Sequence, residues 1–197
     1  MASRQQPTIV IEMPQWLESE LAGRPTHYAT QAERVQLVVD LSRLNVEHDT
    51  GGPFAAAVFE TQSGRLVSAG VNRVVASNLS CAHAEFTALA LAQQKLGTFD
   101  LGGPGMAEHQ LAVNWRPCTM CFGSVLWSGV RSLLLAGSGA AVEEITGFDE
   151  GPMFDNWEEE LARRGITLQD NLAREAACEV FRLYRDSNRP VYNGRQG

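Results

Sequence analysis

Residues 83–97 read HAEFTALALAQQKLG and predict the helix around which the rest of the fold is arranged. The stretch is rich in Ala, Leu and Gln, which favour helix, and it contains no Pro. It ends at Gly97, a residue type that commonly terminates helices. Its first residue, His83, is a possible metal ligand and its third, Glu85, a possible acid or base. The start of this helix is therefore also a candidate site.

Short apolar segments on both sides of this helix predict strands. Five strands are predicted, over residues 54–60, 65–75, 109–115, 131–137 and 166–171. The sequence TQSG (61–64) is typical of a turn, so the first two strands are expected to form a hairpin.

Further helices are predicted over residues 30–47, 118–129, 158–165 and 174–186. Thr30 followed by Glu33 fits a capping box at the start of the first of these. Pro117 is placed in the first turn of the second, where its missing N–H costs nothing. Because helices and strands alternate, the sequence predicts an α/β fold whose sheet is covered by helices on both faces.

The chain length of 197 residues suits one domain with terminal extensions. Residues 1–27 are mixed in character and contain three prolines, and they are predicted to form an N-terminal extension that lies on the domain. Residues 28–187 are predicted to form the domain itself. Residues 188–197 are predicted to be a polar C-terminal tail.

The net charge of −7 argues against nucleic acid as a partner, because proteins that grip phosphate backbones usually carry a basic face. No apolar run approaches the ~20 residues of a membrane span, and the N-terminus lacks the apolar stretch of a secretory signal. A cytoplasmic location is expected, where thiols stay reduced. The four cysteines then point to metal binding or catalysis before disulfides.

Cys118 and Cys121 lie three residues apart at the start of a predicted helix, so their side chains share a face. The helix dipole there favours thiolates, which are zinc ligands. His83 adds an imidazole nitrogen from the start of another helix. A structural zinc site uses four protein ligands, whereas three leave a coordination position for water, which indicates a catalytic zinc.

Glu85 lies two residues after His83, also in a first turn, where side chains lean back towards the helix N-terminus. A carboxylate there can take a proton from water and return it to a leaving group. The combination H-A-E followed by P-C-x-x-C is the signature of zinc-dependent nucleobase deaminases. Both catalytic parts are thus expected at two neighbouring helix starts.

On these residues the chain resembles the cytidine/deoxycytidylate deaminase superfamily. More narrowly, it is similar to bacterial guanine deaminases of the kind that also act on the triazine ammeline. The resemblance runs from about residue 51 to residue 193. It is carried by GGPFAAAVF (51–59), GVNRVV (70–75), AHAE (82–85), PCTMCFGSVLWSGV (117–130) and GFDEGP (147–152), of which the last narrows the substrate.

The resemblance implies a three-layer α-β-α sandwich with a five-stranded mixed sheet, and a homodimer. It implies one zinc ion per subunit on His83, Cys118 and Cys121. Glu85 would be the proton shuttle, and Glu150 a second carboxylate near the amine of the substrate.

The resemblance also implies a set of substrate contacts. Asn72 would hydrogen-bond the substrate ring and the backbone N–H of Ala84 would hold a ring oxygen. Phe54 would stack on the ring, with Trp127 packing nearby. The C-terminal tail, including Tyr192, would close over the pocket.

One segment departs from the pattern of this branch. Its members usually carry small residues and then Glu before the Pro-Cys pair, whereas this chain has Asn114, Trp115 and Arg116. The family uses a backbone carbonyl at the last position to accept a hydrogen bond from the leaving amine, which Arg116 supplies equally well. Trp115 either narrows the pocket or offers a new stacking surface.

The expected reaction is the hydrolysis of a free nucleobase, guanine, to xanthine and ammonia. Ammeline or another aminotriazine and cytosine remain alternative substrates. A tRNA-adenosine deaminase shares the core motifs, but the acidic charge and the GFDEGP segment argue against it. A different class also stays open, a non-catalytic binding protein whose zinc is structural, with Cys81 as the fourth ligand.

Overall fold

The structure is a computed structural model that describes residues 8–194. Its centre is a five-stranded sheet in the order β2-β1-β3-β4-β5. Strand β1 runs antiparallel to β2 and β3, while β3, β4 and β5 are parallel. The strands are β1 (Ala55–Glu60), β2 (Leu66–Val71), β3 (His109–Val113), β4 (Ser132–Leu135) and β5 (Thr167–Gln169). The predicted five-stranded mixed sheet is confirmed.

Helices connect the strands and cover them. Within the described residues they are α1 (Gln15–Ala22), α2 (Gln31–Glu47), α3 (Val74–Ser77), α4 (Ala84–Leu96), α5 (Thr119–Ser128), α6 (Ala141–Thr146), α7 (Trp157–Arg163) and α8 (Arg174–Asp186). The predicted capping box is present at α2: the Glu33 N–H donates to Thr30 Oγ1 over 3.2 Å, and the Thr30 N–H to Glu33 Oε2 over 2.7 Å.

Side chains alternate between the two faces of the sheet, so each face has its own core. In β1, Ala55, Ala57 and Phe59 join the core formed with α2 and α8. The intervening Ala56 and Val58 join the core formed with α4, α5 and α7. Strand β4 is buried along its whole length because both faces are covered. The three-layer α-β-α sandwich is confirmed.

Two local predictions were wrong. The second strand ends at Val71, well before the predicted residue 75, and α3 begins at Val74. The Asn72 side chain accepts a hydrogen bond from the Val74 N–H over 3.3 Å and so favours the turn into that helix. Pro117 precedes the N-cap residue of α5, which is Cys118, and is therefore outside the first turn.

The predicted N-terminal extension contains a helix that the sequence pattern did not reveal, α1. Leu17 of this helix is buried in the same core as α2, and Trp16 donates to Thr50 Oγ1 over 2.9 Å. Residues 1–7 of the extension and 195–197 of the tail lie outside the described residues. The boundaries at 28 and 187 stay predictions.

Across residues 8–194, no helix is both long enough and apolar enough to cross a bilayer.

Candidate active site

Two helix N-termini meet on one face of the sheet, because β1 and β3 are neighbours and α4 and α5 pack side by side. His83 is the N-cap residue of α4, and Cys118 is the N-cap residue of α5. The donor atoms of His83, Cys118 and Cys121 all lie within 4.8 Å of one another, with His83 Nδ1 3.6 Å from Cys118 Sγ. These three side chains can bind one metal ion.

The chemistry of this donor set fits zinc, which binds thiolate and imidazole ligands. A hydrogen bond from the Cys121 thiol and the neighbouring His83 lower the pKa of Cys118 to about 4. The same hydrogen bond, together with burial, raises the pKa of Cys121 well above its usual value. The low pKa favours a thiolate at Cys118, which is the form that binds a metal ion.

Cys81 does not belong to this group. Among the residues that the structure describes, the group of potential ligands comprises His83, Cys118 and Cys121. This geometry counts against a closed, four-ligand structural site.

Glu85 lies in the first turn of α4 beside these ligands and is only 7% exposed. Burial raises the pKa of its carboxyl to about 7, and the Cys118 thiolate adds to this effect while His83 opposes it. A carboxyl whose pKa lies near neutrality can both accept and return a proton under working conditions.

A cavity of about 160 Å³ opens over His83 and Glu85. Of the residues predicted to form the site, Phe54, Trp115, Arg116, Glu150 and Tyr192 also line it. The remaining lining residues are Val74, Ser80, Phe148, Asp149, Asn193 and Gly194. The cavity therefore collects residues from the segment before β1, the start of α4, the segment after β3, the GFDEGP segment and the tail.

One end of the cavity is aromatic. The Phe54 ring lies edge-on to Phe148, with 5.4 Å between centroids, and 5.8 Å from Phe181. Trp115 is 1% exposed and packs edge-to-face on Phe181 at 5.1 Å. Its indole N–H donates to the Gly139 carbonyl over 3.1 Å. Because this polar group is already used, Trp115 contributes an apolar wall.

Glu150 is partly buried at another side of the cavity. Burial raises the pKa of its carboxyl to about 8, and the negative charges of Cys118 and Glu85 act in the same direction. Its backbone carbonyl accepts a hydrogen bond from the Thr119 N–H over 3.1 Å, and Thr119 Oγ1 donates to the Pro152 carbonyl over 2.7 Å. The segment that carries Glu150 is thus fastened to the first turn of α5.

Several polar groups near the cavity lack a partner within residues 8–194. Asn72 is 1% exposed, and its Nδ2 makes no hydrogen bond there. Arg116 Nε and the Tyr192 hydroxyl are also buried and make no hydrogen bond within the described residues. Buried polar groups are nearly always hydrogen-bonded, so these three atoms are candidates for contacts with a ligand. Ala84 is buried in the first turn of α4, where backbone N–H groups have no intrahelical acceptor.

Trp127 does not line the cavity of the described chain, so its predicted packing near the substrate stays a prediction. Its side chain is 82% exposed and lies beside Phe86 and Leu89 on the outside of α4 and α5. Trp127 follows Cys121 by six residues, roughly 240° around the helix axis at 3.6 residues per turn. It therefore points away from the face that carries the metal ligands.

Six lining residues had no predicted role, and four of them, Val74, Phe148, Asp149 and Asn193, lie within the stretches that carry the resemblance. Phe148 precedes Asp149 in GFDEGP and was not assigned a role, and Asn193 follows Tyr192 in VYN. The signal for both was their position beside residues already singled out. The contacts between the GFDEGP segment and the tail depend on the fold, so neither stretch of sequence reveals them by itself.

The fold and this site define a class, the zinc-dependent aminohydrolases, in which a buried Glu accompanies a His and two Cys ligands. The sequence model of the family described as "Cytidine and deoxycytidylate deaminase zinc-binding region" matches residues 30–136, more than half of the chain. The chain belongs to this family.

Individual relatives agree with this membership. The guanine deaminase of Bacillus subtilis (strain 168) is 30% identical over 148 residues, which are 73% of this chain and 90% of the relative. The solved structure of a guanine deaminase from Nitrosomonas europaea is 47% identical. The match covers 91% of this chain and 97% of that one, with a TM-score of 0.85. The protein NE0047 in complex with 2,6-diaminopurine is likewise 47% identical, over 95% and 98% of the two chains, with a TM-score of 0.87.

Proposed function

We propose that this chain hydrolyses guanine to xanthine and ammonia, with zinc as its cofactor. The observation that carries the proposal is a second carboxylate, Glu150, in the same small cavity as Glu85 and one of the potential metal ligands, His83. The 47% identity to the guanine deaminase from Nitrosomonas europaea supports the choice of guanine.

His83, Cys118 and Cys121 would hold the zinc ion. A bound zinc supplies an activated water, because it lowers the pKa of water from about 15.7 towards about 7. Cys118 is prepared for this role, since its low pKa keeps a thiolate available at neutral pH.

Glu85 is assigned the central proton transfers. In the net reaction the oxygen of water bonds to C2 of guanine, the bond from C2 to the exocyclic nitrogen breaks, and ammonia leaves. Glu85 takes one proton from water and passes it to the neighbouring ring nitrogen. It then helps to move the second proton of that water, carried by the new hydroxyl on C2, to the amine, which leaves as ammonia. Such positioned proton transfers typically contribute roughly 10²–10⁴-fold to the rate.

Glu150 is assigned to the leaving amine. Its carboxylate oxygens can accept a hydrogen bond from the amine, and the burial that raises its pKa to about 8 in the metal-free protein favours a protonated form that can also donate one. It is therefore suited to bind the amine and to assist the transfer of the last proton. The backbone carbonyl of Arg116 would accept a second hydrogen bond from the same amine.

The remaining contacts would orient the ring. Phe54 offers its ring for stacking, and Asn72 Nδ2 offers an unused donor. The Ala84 N–H, at the start of α4, would donate to a ring oxygen. Tyr192 and Trp115 close the cavity, so they would exclude water and limit the size of the substrate.

The cavity of about 160 Å³ favours a free base over a nucleoside, since pockets for larger ligands measure about 300–1,000 Å³. The acidic net charge of −7 disfavours a nucleic-acid partner. We assign the enzyme to the cytoplasm and to a homodimeric state. The large apolar side chains exposed on α5, Met120 and Trp127, support an assembly through that helix.

The direct test is to offer the zinc-loaded protein guanine, ammeline, cytosine, adenine, guanosine and cytidine, and to measure the ammonia released from each. Guanine is expected to turn over fastest. Faster release from ammeline or cytosine would reassign the substrate within the same chemistry. Comparable turnover of the nucleosides would refute a pocket built for free bases.

Glu85→Gln tests whether the site is catalytic, because the amide keeps the shape of the side chain but cannot carry the proton. Ammonia release from guanine is expected to fall by roughly 10²-fold or more, with zinc content and fold unchanged. A non-catalytic zinc protein would release no ammonia in either form. Full activity in the variant would remove Glu85 from the reaction.

A further inference from the structure

We propose that Asn193 is a positioning residue that fastens the segment carrying Glu150 to the C-terminal tail, so that both are ordered together. We call residues 147–152 the Glu150 loop and residues 188–194 the tail segment. The proposal rests on the proposed function only in assigning Glu150 a task in catalysis. The coupling between the two segments is a property of the protein without substrate.

The side-chain amide of Asn193 uses both of its ends on the backbone of the Glu150 loop. Its Nδ2 donates to the Gly147 carbonyl over 2.9 Å, and its Oδ1 accepts from the Asp149 N–H over 2.9 Å. These two backbone groups lie on either side of Phe148 and directly before Glu150. One amide therefore fixes the stretch of chain that leads into the carboxylate.

The other end of the loop is held by the helix that carries the potential metal ligands. Thr119, the residue after Cys118, donates its N–H to the Glu150 carbonyl and its hydroxyl to the Pro152 carbonyl. Glu150 thus lies between a contact with the first turn of α5 and a contact with the tail. Its position relative to the metal ligands depends on both.

The first residues of the tail segment are held in place by contacts that do not involve Asn193. Arg189 forms an ion pair with Asp49 at 2.9 Å and donates a hydrogen bond to the Val46 carbonyl. The Tyr184 hydroxyl donates to the Pro190 carbonyl over 2.7 Å. A change at Asn193 is therefore expected to release the Glu150 loop without detaching the start of the tail.

The last residues of the tail segment are positioned by the close packing of Tyr192 beside the cavity. The Tyr192 ring packs on Phe148 with 4.6 Å between centroids, and its hydroxyl lies so close to Gly52 that any side chain there would collide with it. Tyr192, Asn193 and Gly194 all line the cavity. Two of the tail residues that line the cavity, Tyr192 and Asn193, therefore also contact the Glu150 loop.

Two consequences follow for a protein that lacks the amide. The Gly147 carbonyl and the Asp149 N–H would exchange their fixed partner for water, so the loop would open more often. The Glu150 carboxylate would then spend less time within hydrogen-bonding distance of the reacting amine. Phe54 and Asn72 belong to other segments, so ground-state binding of the ring should suffer less than turnover.

The experiment compares Asn193→Ala with Val191→Ala in the zinc-loaded, full-length protein. Val191 lies two residues away in the same tail and is 37% exposed, so it controls for a general effect of altering the tail. Hydrogen exchange is measured without ligand on peptides covering residues 147–152. Exchange is expected to accelerate roughly tenfold in Asn193→Ala and to stay unchanged in Val191→Ala.

Steady-state kinetics with guanine provide the second measurement. In Asn193→Ala, kcat is expected to fall roughly tenfold while KM changes less than about threefold. Unchanged exchange in the loop overturns the coupling, whatever the activity. Accelerated exchange with unchanged kcat overturns the positioning role. If the unmodified protein does not deaminate guanine, the proposed function fails, but the exchange measurement still decides the coupling.

Discussion

Glu85 and Glu150 are two acids in one cavity, and the same physical cause acts on both. Burial is the main reason that the pKa of Glu85 rises to about 7 and that of Glu150 to about 8, and the Cys118 thiolate adds to each shift. A zinc ion on the three ligands would lower both pKa values, because it brings positive charge to the same place. The cavity thus holds carboxyls whose protonation responds directly to the metal.

Glu150→Gln should change how stability depends on pH in the metal-free protein. The pKa of Glu150 is raised from 4.5 to about 8 on folding, so its contribution to stability is present below pH 4.5 and is lost as pH rises towards 8. The Gln side chain of the variant does not titrate, so the variant does not lose stability in this way as pH rises. Between pH 5 and 8.5, unfolding free energy of the unmodified protein should fall relative to that of the variant by on the order of 1–2 kcal/mol.

Chemical denaturation of both proteins across this pH range is the measurement. Solvent screens this carboxyl, because Glu150 is only partly buried, so the difference is smaller than a fully buried carboxyl would give. Loading with zinc should shrink the difference. Parallel stability curves for the two metal-free proteins would show that Glu150 is not perturbed by its surroundings.

Trp115 should be important for both stability and selectivity. It is a fully buried ring that fills the aromatic end of the cavity, and Arg174 lies over its face at 5.0 Å. Trp115→Ala is expected to cost about 3–5 kcal/mol of unfolding free energy, because it removes apolar contacts and leaves a void. It should also weaken discrimination against guanines that carry an extra methyl group.

Trp115→Phe is the matched control, because it keeps an aromatic wall of smaller size. It should lose less stability than the Ala variant and retain more of the discrimination, as measured by denaturation and by ratios of kcat/KM. If the Ala variant keeps the original ratio, Trp115 does not set the size of the substrate.

At the scale of secondary-structure elements, the site depends on how the end of β3 is tied to the start of β1. Asn114 follows β3 and is completely buried. Its Oδ1 accepts from the Ala55 N–H over 3.0 Å, and its Nδ2 donates to the Pro53 carbonyl over 2.9 Å. This amide therefore holds Phe54, which lies between its two partners, at the edge of the cavity.

Asn114→Ala should destabilise the protein by about 2–3 kcal/mol, because buried backbone groups would lose their partners. It should also raise KM for guanine more than it lowers kcat, since Phe54 is assigned to ring binding. Asn114→Asp keeps the acceptor for the Ala55 N–H. Its stability and its KM for guanine should therefore lie between those of the unmodified protein and those of the Ala variant. Unchanged KM in the Ala variant would separate Phe54 from substrate binding.

At the scale of the whole molecule, the exposed apolar face of α5 is the feature that the single chain leaves unexplained. Trp127 is 82% exposed there, next to Phe86 and Leu89 of α4. Large apolar side chains exposed together often mark a contact with another protein. This surface supports the homodimer that we propose.

Trp127→Glu should convert the dimer to a monomer, because a charge would be buried in the interface. Sedimentation velocity gives the mass, and zinc content gives the state of the site. Phe99→Glu is the control, since Phe99 is 87% exposed in the loop after α4 and should not alter assembly. A Trp127→Glu protein of unchanged mass would exclude this surface as the dimer contact.

The sequence predicted those parts of the fold and site that depend on short stretches of chain. The helix over 83–97 appears as Ala84–Leu96, and the capping box of Thr30 and Glu33 forms as expected. The second strand was predicted too long, because the capping interaction of Asn72 with Val74 outweighs the apolar pattern of the residues that follow. The spacing of Cys118 and Cys121 predicted a shared face, which is a local property of a helix.

By itself, then, the sequence determined which chemical groups are present and which of them share a helix turn, since a turn involves residues only three or four positions apart. Only the tertiary structure decided that no other element of the described chain covers Trp127, that Trp115 is an apolar wall, and that Asn193 holds the Glu150 loop. The hydrogen bonds of Asn193 join residues 44 and 46 positions apart. Contacts at such distances follow from how the layers pack, and no local pattern specifies that packing.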